Sequence, residues 1–396
     1  MARRRFIALF ASNLFSLPLN LVISALLLRY LGVAAFGQIA WISAILLLLG
    51  NIVLETMQSF TLAGPRRTDL IRQISSKLHM VLGLAGVIIL QSGWIIWGAA
   101  LYPFANIVVV SVVLIATMGV IGVIWAELRN RGDYLVPNLI NRLLQAVVLV
   151  LGCVLLHVWA LLTVASTLGL YALASTVTLF TLVVYLPPAA NAERWVPTRR
   201  VFSYFKDNAI TMSAPQIALI LPGFFVAAEV LAVLRVALQM ANLSLLLPTS
   251  LYYIYVPRLV QSYKSRLPDY HTAMRFVRLW GTVSLLFAIV AAIILHRVVE
   301  FVFPGVDMAL TYQVFLVVSL GNLLATALGP TNHVLSLTGQ VEFNFRLTLV
   351  TVGCLIVGGG FVMAVGLNIL YFIGLTAVTT IVVKVVAHNV LNGEAE

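Results

Sequence analysis

Long apolar runs, separated by short charged stretches, extend along the whole chain. A membrane-spanning helix needs about 20 predominantly apolar residues. The long stretches without Asp, Glu, Lys or Arg are 6–28, 30–54, 78–126, 143–192, 208–228, 236–257, 279–296, 308–341 and 347–383. These runs are continuous, whereas the strands of a membrane barrel alternate and are about 10 residues long. The pattern therefore predicts membrane-spanning helices.

Three of these stretches are long enough for two helices each. We place the breaks at Leu101–Phe104, near His157–Trp159 and near Gly366–Asn368. The stretch 308–341 predicts one helix followed by a loop that contains Gly329-Pro330. The total is 12 predicted spans, which is the pattern of an all-α polytopic membrane protein.

Composition agrees with this interpretation, since 62% of the residues are apolar and only 9% are charged. Soluble domains carry about 25% charged residues, so a soluble enzyme, a nucleic-acid-binding domain and a disordered chain are excluded. Basic residues outnumber acidic ones by 24 to 13. If the N-terminus is cytoplasmic, all basic residues except Arg29, Arg235 and Arg297 fall on the cytoplasmic side. The positive-inside rule therefore predicts that both termini are cytoplasmic, and no nucleic acid is needed to explain the charge.

The longest interior connection divides the chain into two halves of six predicted spans. We expect an N-terminal bundle at 1–186, a cytoplasmic linker at 187–207 and a C-terminal bundle at 208–396. Pro18 and Pro215 occupy similar depths in the first helix of each half, and a proline can bend a membrane helix. Further candidate bends are at Pro137, Pro222 and Pro248. The pattern predicts two pseudo-symmetric bundles, the usual build of a secondary transporter.

No motif for catalysis or metal binding is present. The chain lacks a P-loop, an HExxH motif and a nucleophile elbow, and its histidines lack the spacing of metal ligands. Cys153 and Cys354 both lie in apolar runs, where we interpret them as packing residues. We therefore predict a protein that is not an enzyme and that carries no metal or cofactor.

Four arginines near the ends of spans are candidates for binding an anion. A guanidinium group stays charged and presents a fork of donors that suits phosphate. The alternative for each is that it extends to the lipid headgroups. Arg142 and Arg346 hold related positions in the two halves. The four candidates are Arg29, Arg142, Arg235 and Arg346.

Two further sets of polar side chains lie inside predicted spans. Glu55 follows Asn51 by one helical turn and is a candidate for ion coupling, or else forms a local hydrogen bond or ion pair. Gln239 and Asn242 share a face of a span rich in polar and tyrosine residues. That face suits a hydroxyl-rich ligand such as a sugar, and it equally suits polar contacts between helices.

Several motifs resemble one transporter family. The segment Arg29–Gly37, RYLGVAAFG, resembles the R-x-L-G-x-x-x-[FY]-G turn of polysaccharide flippases. Pro257-Arg258 and the segment Asn332–Gly339 also resemble that family. These flippases belong to the multidrug/oligosaccharidyl-lipid/polysaccharide (MOP) exporter superfamily.

The resemblance implies two six-helix bundles around a central cavity that opens alternately to either side. It implies a cargo of undecaprenyl-diphosphate-linked oligosaccharide, an O-antigen or similar repeat unit of lipopolysaccharide, carried to the outer leaflet of the bacterial inner membrane. Cavity arginines would engage the diphosphate, and Arg29 carries over by its motif. The expected partners are membrane lipid, H+ or Na+ as coupling ion, a polysaccharide polymerase and a chain-length regulator.

Two other functions remain open. An acidic residue deep in the first helix would favour an ion-coupled exporter of drugs or small solutes from the same superfamily, but that helix offers Asn13, Asn20 and serines instead. A membrane glycosyltransferase or polymerase would need a long external loop with catalytic residues. The longest predicted outside loop, His296–Thr311, holds only Arg297, Glu300 and Asp307 as charged residues.

Overall fold

The computed structural model describes residues 19–63, 77–98, 103–130, 139–185, 199–331, 334–335 and 341–395, apart from 265–268. All regular secondary structure in these ranges is helical. The helices are α1 (Leu19–Leu31), α2 (Val33–Ala63), α3 (Lys77–Gly93, continued by a π-helical turn at Trp94–Gly98), α4 (Pro103–Asn130), α5 (a π-helical turn at Leu139–Leu144, then Gln145–Val158), α6 (Val164–Tyr185), α7 (Arg199–Ile220), α8 (Ala228–Ser244), α9 (Leu246–Lys264), α10 (Asp269–Ile294), α11 (His296–Val302), α12 (Met308–Leu328), α13 (Val341–Ala364) and α14 (Ile369–Ala395).

Within the described ranges, eight helices are long and apolar enough to cross a membrane, or nine if α8 and the start of α9 count as one bent span. Two shorter apolar helices, Leu19–Leu31 and Val81–Ile96, accompany them. The predicted break near His157 is confirmed, since α5 ends at Val158. The break near Gly366 is also confirmed, because that glycine has a φ of +76° between α13 and α14. The all-α fold is therefore as predicted, and the total of 12 spans stays a prediction.

One helix boundary differs from the sequence prediction. The charge-free stretches 208–228 and 236–257 predict a break between them, with Arg235 at the start of the next helix, but the structure places Glu229 and Arg235 inside α8. The chain turns earlier, at a short 3-10 helix Pro222–Phe224. Proline favours the first position of such a turn, and Glu229 then lies in the first turn of α8, where a negative charge is favourable. The placement of Arg235 at a helix start was therefore wrong.

A bend of 49° separates α8 from the first part of α9, at Leu245. Pro248 lies in the first turn of α9 and has no N–H group for the carbonyl four residues earlier. At the bend, the Leu245 N–H donates to both the Ala241 carbonyl and the Asn242 carbonyl. This bend confirms Pro248 as one of the predicted bend positions.

The chain divides into two compact units, with the boundary between Met212 and Ser213 inside α7. In the first unit, α2 packs against α4, and α6 packs against α3, α4 and α5. In the second unit, α12 packs against α8, α10 and α14, and α14 also packs against α13. If the predicted spans of each half are numbered one to six, the second span packs against the fourth, the fourth against the sixth and the fifth against the sixth in both units.

Small residues allow the closest helix approaches inside each unit. A Cβ atom added to Gly122 of α4 would collide with the main-chain carbonyl oxygen of Leu54 in α2. In the second unit, a Cβ atom on Gly321 of α12 would lie 2.8 Å from the Cβ of Ala377 in α14. Such small-residue contacts are typical of helix pairs in membranes, where packing replaces the hydrophobic effect as the driving force.

Candidate functional site

Two basic side chains hold the C-terminal end of α12. The last carbonyls of a helix have no partner within the helix. Arg278 Nε of α10 donates a hydrogen bond to the Ala327 carbonyl at 2.5 Å, and Lys384 Nζ of α14 donates to the Gly329 carbonyl at 3.3 Å. The two basic side chains therefore connect α10 and α14 to the C-terminal end of α12.

A third basic side chain lies beside these two. His388 follows Lys384 by one turn on α14. All three side chains are partly exposed. We call Arg278, Lys384 and His388 the basic cluster.

Gly329 has no room for a side chain at this point. Its φ of +87° and ψ of −171° lie in a region that is essentially restricted to glycine. A Cβ atom there would lie 2.8 Å from Met274 Sδ and 3.1 Å from Arg278 Cγ. The chain therefore leaves α12 in a conformation that presents the Ala327 and Gly329 carbonyls to the two cations.

Positive charge exceeds negative charge around the basic cluster. In the part of the chain that the structure describes, neither Arg278 nor Lys384 forms an ion pair with a carboxylate. The end of a helix supplies the equivalent of about half a negative charge, which offsets only part of two full cations. Charged groups inside a membrane are costly and mostly face a cavity or a partner. This arrangement is therefore suited to hold an anion.

The predicted arginines have different environments. Arg29 is exposed in the last turn of α1, next to Tyr30, whose ring stacks on His157 of α5 with ring centroids 3.6 Å apart. Arg346 is exposed and forms an ion pair with Glu342, with Nε and Oε1 3.3 Å apart. Arg142 lies on the π-helical turn of α5, and its side chain is outside the described part of the structure.

The structure brings three predicted residues onto one face of α8. Arg235, Gln239 and Asn242 follow one another at spacings of four and three, which is one side of a helix. Arg235 and Gln239 are half-buried and Asn242 is exposed, whereas most of the other α8 residues are buried. We call this set the α8 polar face.

For the paired bend candidates Pro18 and Pro215, the structure describes only the backbone at Pro215. Pro18 lies outside the described residues. The backbone of α7 is helical through Pro215, whose side chain is likewise not described. Their role as bends stays a prediction.

A second carboxylate lies in the first unit. Glu55 is half-buried in α2, as expected for a residue inside a span. Glu127 of α4 is only 9% exposed and belongs to the candidate span Ala105–Leu128. In the sequence, Glu127 stands at the boundary of a charge-free stretch, the position of a span end, so the pattern does not single it out. Across the described residues, no three His, Cys, Asp or Glu side chains are grouped to hold a metal ion.

A buried amide connects three helices of the first unit. Asn106 of α4 is fully buried; its Oδ1 accepts a hydrogen bond from Trp94 Nε1 at 3.0 Å, and its Nδ2 donates to the Ala165 carbonyl at 2.8 Å. Such bonds hold helices together in a membrane. We therefore assign this network to the scaffold. In the sequence its only signal is an asparagine inside an apolar run, which identifies no hydrogen-bond partner.

No protein-family model matches the chain, and no curated protein matches its sequence. Solved structures match its fold. An inward-facing multidrug resistance MATE family transporter of the MOP superfamily is similar with a TM-score of 0.64 at 12% identity, over 98% of this chain and 98% of that chain. The lipid II flippase MurJ in an inward closed conformation is similar with a TM-score of 0.62 at 14% identity, over 98% of this chain and 87% of that chain.

A third match is a MOP superfamily transporter from Pyrococcus furiosus, with a TM-score of 0.61 at 14% identity over 100% of this chain and 96% of that chain. For that protein, the reverse polarity of the binding pocket suggests a different function. At these identities the similarity establishes the fold and not the substrate. The chain therefore has the fold of the MOP superfamily transporters, which include the MATE transporters and MurJ.

Proposed function

We propose that this protein is a flippase that carries an undecaprenyl-diphosphate-linked oligosaccharide, an O-antigen or similar repeat unit, from the cytoplasmic to the periplasmic leaflet by alternating access. A flippase must pass a large polar head through about 30 Å of hydrocarbon. That task requires a polar, cationic path through the helices and no catalytic residue. The fold and the charges of the helices both support this proposal.

The observation that carries the proposal is the sign of the charges inside the second unit. In α8, α9, α10, α12, α13 and α14, the carboxylates stand only in the first two or last two residues of a helix: Glu229, Asp269, Glu342 and Glu394. Cations lie further in, at Arg235, Arg278 and Lys384. An interior of this sign attracts a diphosphate and repels a cationic drug. The α8 polar face adds amide groups next to Arg235, which suit the hydroxyl groups of a sugar.

The solved relatives offer two precedents for different cargoes. One neighbour is a lipid II flippase, and its name describes a lipid-linked cargo. Another is a MOP superfamily transporter with a binding pocket of reverse polarity. Both are consistent with a MOP fold whose interior is matched to a cargo other than a drug.

The second candidate function is an ion-coupled exporter of drugs or small solutes. Glu55 and Glu127, on the adjacent helices α2 and α4, favour a role for carboxylates in ion coupling, with H+ or Na+ as the ion. MATE transporters among the neighbours support this candidate. Carboxylate coupling is also compatible with a flippase, so the two functions differ in the cargo and not in the energy source.

Deletion of the gene in its native host tests the function. We expect loss of the surface polysaccharide and accumulation of its lipid-linked repeat unit, because the polymerase and chain-length regulator act after translocation. Both products are measured by extraction and mass spectrometry, with plasmid-borne wild-type protein as the control. Normal polysaccharide together with increased drug sensitivity would instead establish the exporter.

Neutralising Arg142 and Arg346 separately tests the two predicted cavity cations. We expect Arg142→Gln to reduce polysaccharide export more strongly than Arg346→Gln, because Arg346 already has Glu342 as a partner. An exposed ion pair at this spacing contributes about 0.3–0.5 kcal/mol, so Arg346→Gln should leave the unfolding midpoint nearly unchanged. Export is measured in the complemented deletion strain at matched protein levels. If neither variant reduces export, these two arginines have no part in transport.

The proposed location is the bacterial inner membrane, with both termini in the cytoplasm. This orientation follows from the distribution of basic residues along the sequence. With this orientation, the basic cluster lies in the halves of α10 and α14 that are nearer the cytoplasm.

A further inference from the structure

We propose that the basic cluster at the end of α12 is a phosphate-binding site within the second unit. Its ligand would be a phosphate or diphosphate group attached to a lipid. The two sources of that chemistry are the diphosphate of a lipid-linked cargo and the headgroup of a bilayer phospholipid. Only the first source rests on the proposed function.

The first argument is the number of unused donors. A guanidinium group has five N–H donors and an ammonium group has three. Arg278 uses Nε on the Ala327 carbonyl, and Lys384 uses one proton on the Gly329 carbonyl. The two terminal nitrogens of Arg278 and the remaining protons of Lys384 are therefore available to a ligand. Capping a helix end would need only one donor for each carbonyl.

The second argument is the match between these donors and a phosphate group. Arg278 presents a planar fork, which binds two phosphate oxygens at once, whereas Lys384 acts as a point charge. Both are fixed by bonds to one helix end, so little side-chain freedom is lost when a ligand binds. A phosphate group has enough oxygens to accept hydrogen bonds from both cations. Its negative charge offsets the positive charge that the helix end leaves uncompensated.

The third argument is the position of the cluster. Arg278 lies nine residues after the start of α10, and Lys384 lies eleven residues before the end of α14. At 1.5 Å per residue, both are about 14–16 Å from those helix ends. Arg278 and Lys384 therefore lie within the candidate spans Tyr270–Ile294 and Ile369–Leu391 and not in a loop, where water would solvate the charges. Each residue of the cluster keeps part of its surface exposed.

Binding of inorganic pyrophosphate to the purified full-length protein tests the site. We expect pyrophosphate to raise the thermal unfolding midpoint of the wild type, and to do so more than sulfate at equal ionic strength. Arg278→Gln and Lys384→Met should each weaken the apparent affinity at least about tenfold, which corresponds to about 1.4 kcal/mol. Arg275→Gln is the matched control, because Arg275 is exposed on the same helix three residues earlier and the variant loses the same charge.

Conservative variants keep the test valid if the neutral ones fold poorly. Arg278→Lys retains the charge and loses the fork, and Lys384→Arg retains the charge at the second position. We expect both to fold and Arg278→Lys to bind pyrophosphate more weakly than the wild type. The proposal is overturned if the wild type responds to neither pyrophosphate nor anionic lipid. It is also overturned if all variants respond as Arg275→Gln does, because the two cations would then serve only to cap α12.

A lipid arm distinguishes the two sources of phosphate. The same variants are measured in mixed micelles that contain phosphatidylglycerol or, as the comparison, phosphatidylcholine. A response to phosphatidylglycerol alone that depends on Arg278 and Lys384 supports the site and assigns it to a bilayer lipid. A response to pyrophosphate supports a diphosphate ligand. The deletion experiment judges the flippase function independently, so failure of one proposal is distinguishable from failure of the other.

Discussion

Replacing Gly122 with leucine is expected to destabilise the first unit strongly. At this position α4 contacts the main chain of α2, and even a Cβ atom would collide with the Leu54 carbonyl oxygen. A main-chain group cannot rotate out of the way as a side chain can. Overpacking costs about 1–3 kcal/mol when side chains can give way, so here we expect a loss above about 3 kcal/mol. That is a large part of the 5–15 kcal/mol that typically stabilises a domain.

The yield of monodisperse protein in detergent and its thermal unfolding midpoint measure this effect. Gly83→Leu is the matched control, because a Cβ atom on Gly83 of α3 would meet nothing within 4 Å. A Cβ atom added to Gly119, in the same helix contact, would lie 3.1 Å from Val53 Cγ1, and that side chain can move aside. We therefore expect Gly119→Ala to be intermediate. Equal yields and midpoints for Gly122→Leu and Gly83→Leu would show that α2 and α4 are not this close.

Replacing Gly329 with valine is expected to destabilise the second unit and to disrupt the basic cluster. The backbone at Gly329 has a conformation that a β-branched residue does not adopt, at a cost of about 1–3 kcal/mol. A side chain would in addition press against Met274 and Arg278. The end of α12 must then move, and its carbonyls lose the hydrogen bonds from Arg278 and Lys384.

Gly366→Val separates the two effects. Gly366 also has a positive φ, of +76°, but a Cβ atom there would meet nothing within 4 Å. We expect Gly366→Val to lower the unfolding midpoint by backbone strain alone and to leave the response to pyrophosphate intact. Gly329→Val should lower the midpoint further and lose the response. If the two variants behave alike, crowding at Gly329 contributes nothing.

Much of the helical architecture was predictable, because lipid imposes a simple rule on the sequence. A span must be about 20 residues long and nearly free of charge, so gaps between charges locate helices well. The rule fails at Glu229 and Arg235, because these charges lie within one helix and mark no loop. A charged side chain can lie inside a membrane helix if it faces protein or a cavity, and the turn at Pro222–Phe224 was the better signal.

The candidate site was predictable only where it lies on one helix. Gln239 and Asn242 share a face by helical spacing alone, and the correct start of α8 adds Arg235 to them. The basic cluster combines Arg278 and Lys384, which are far apart in the chain and meet only through the packing of α10, α12 and α14. Their charges were instead interpreted as marks of the cytoplasmic side.

The repeated order of helix packing supports the proposed duplication. The sequence suggested it from paired prolines and loop motifs, which are weak signals singly. The contacts are a stronger signal, because α2 with α4 and α4 with α6 in the first unit correspond to α8 with α12 and α12 with α14 in the second. Close contacts of small residues occur in both units, at Gly122 in the first and at Gly321 in the second.

The bend at Leu245 divides what the sequence presents as one polar stripe. In a straight helix, the line of residues through Gln239 and Asn242 would continue into Thr249 and the tyrosines of α9. Because the axis turns by 49°, α8 and the start of α9 run in different directions, and the line of residues is interrupted at Leu245. A ligand that contacts the amides along the axis of α8 would leave that axis before it reached the tyrosines. The polar residues of α8 and those at the start of α9 therefore do not lie along one continuous helix axis.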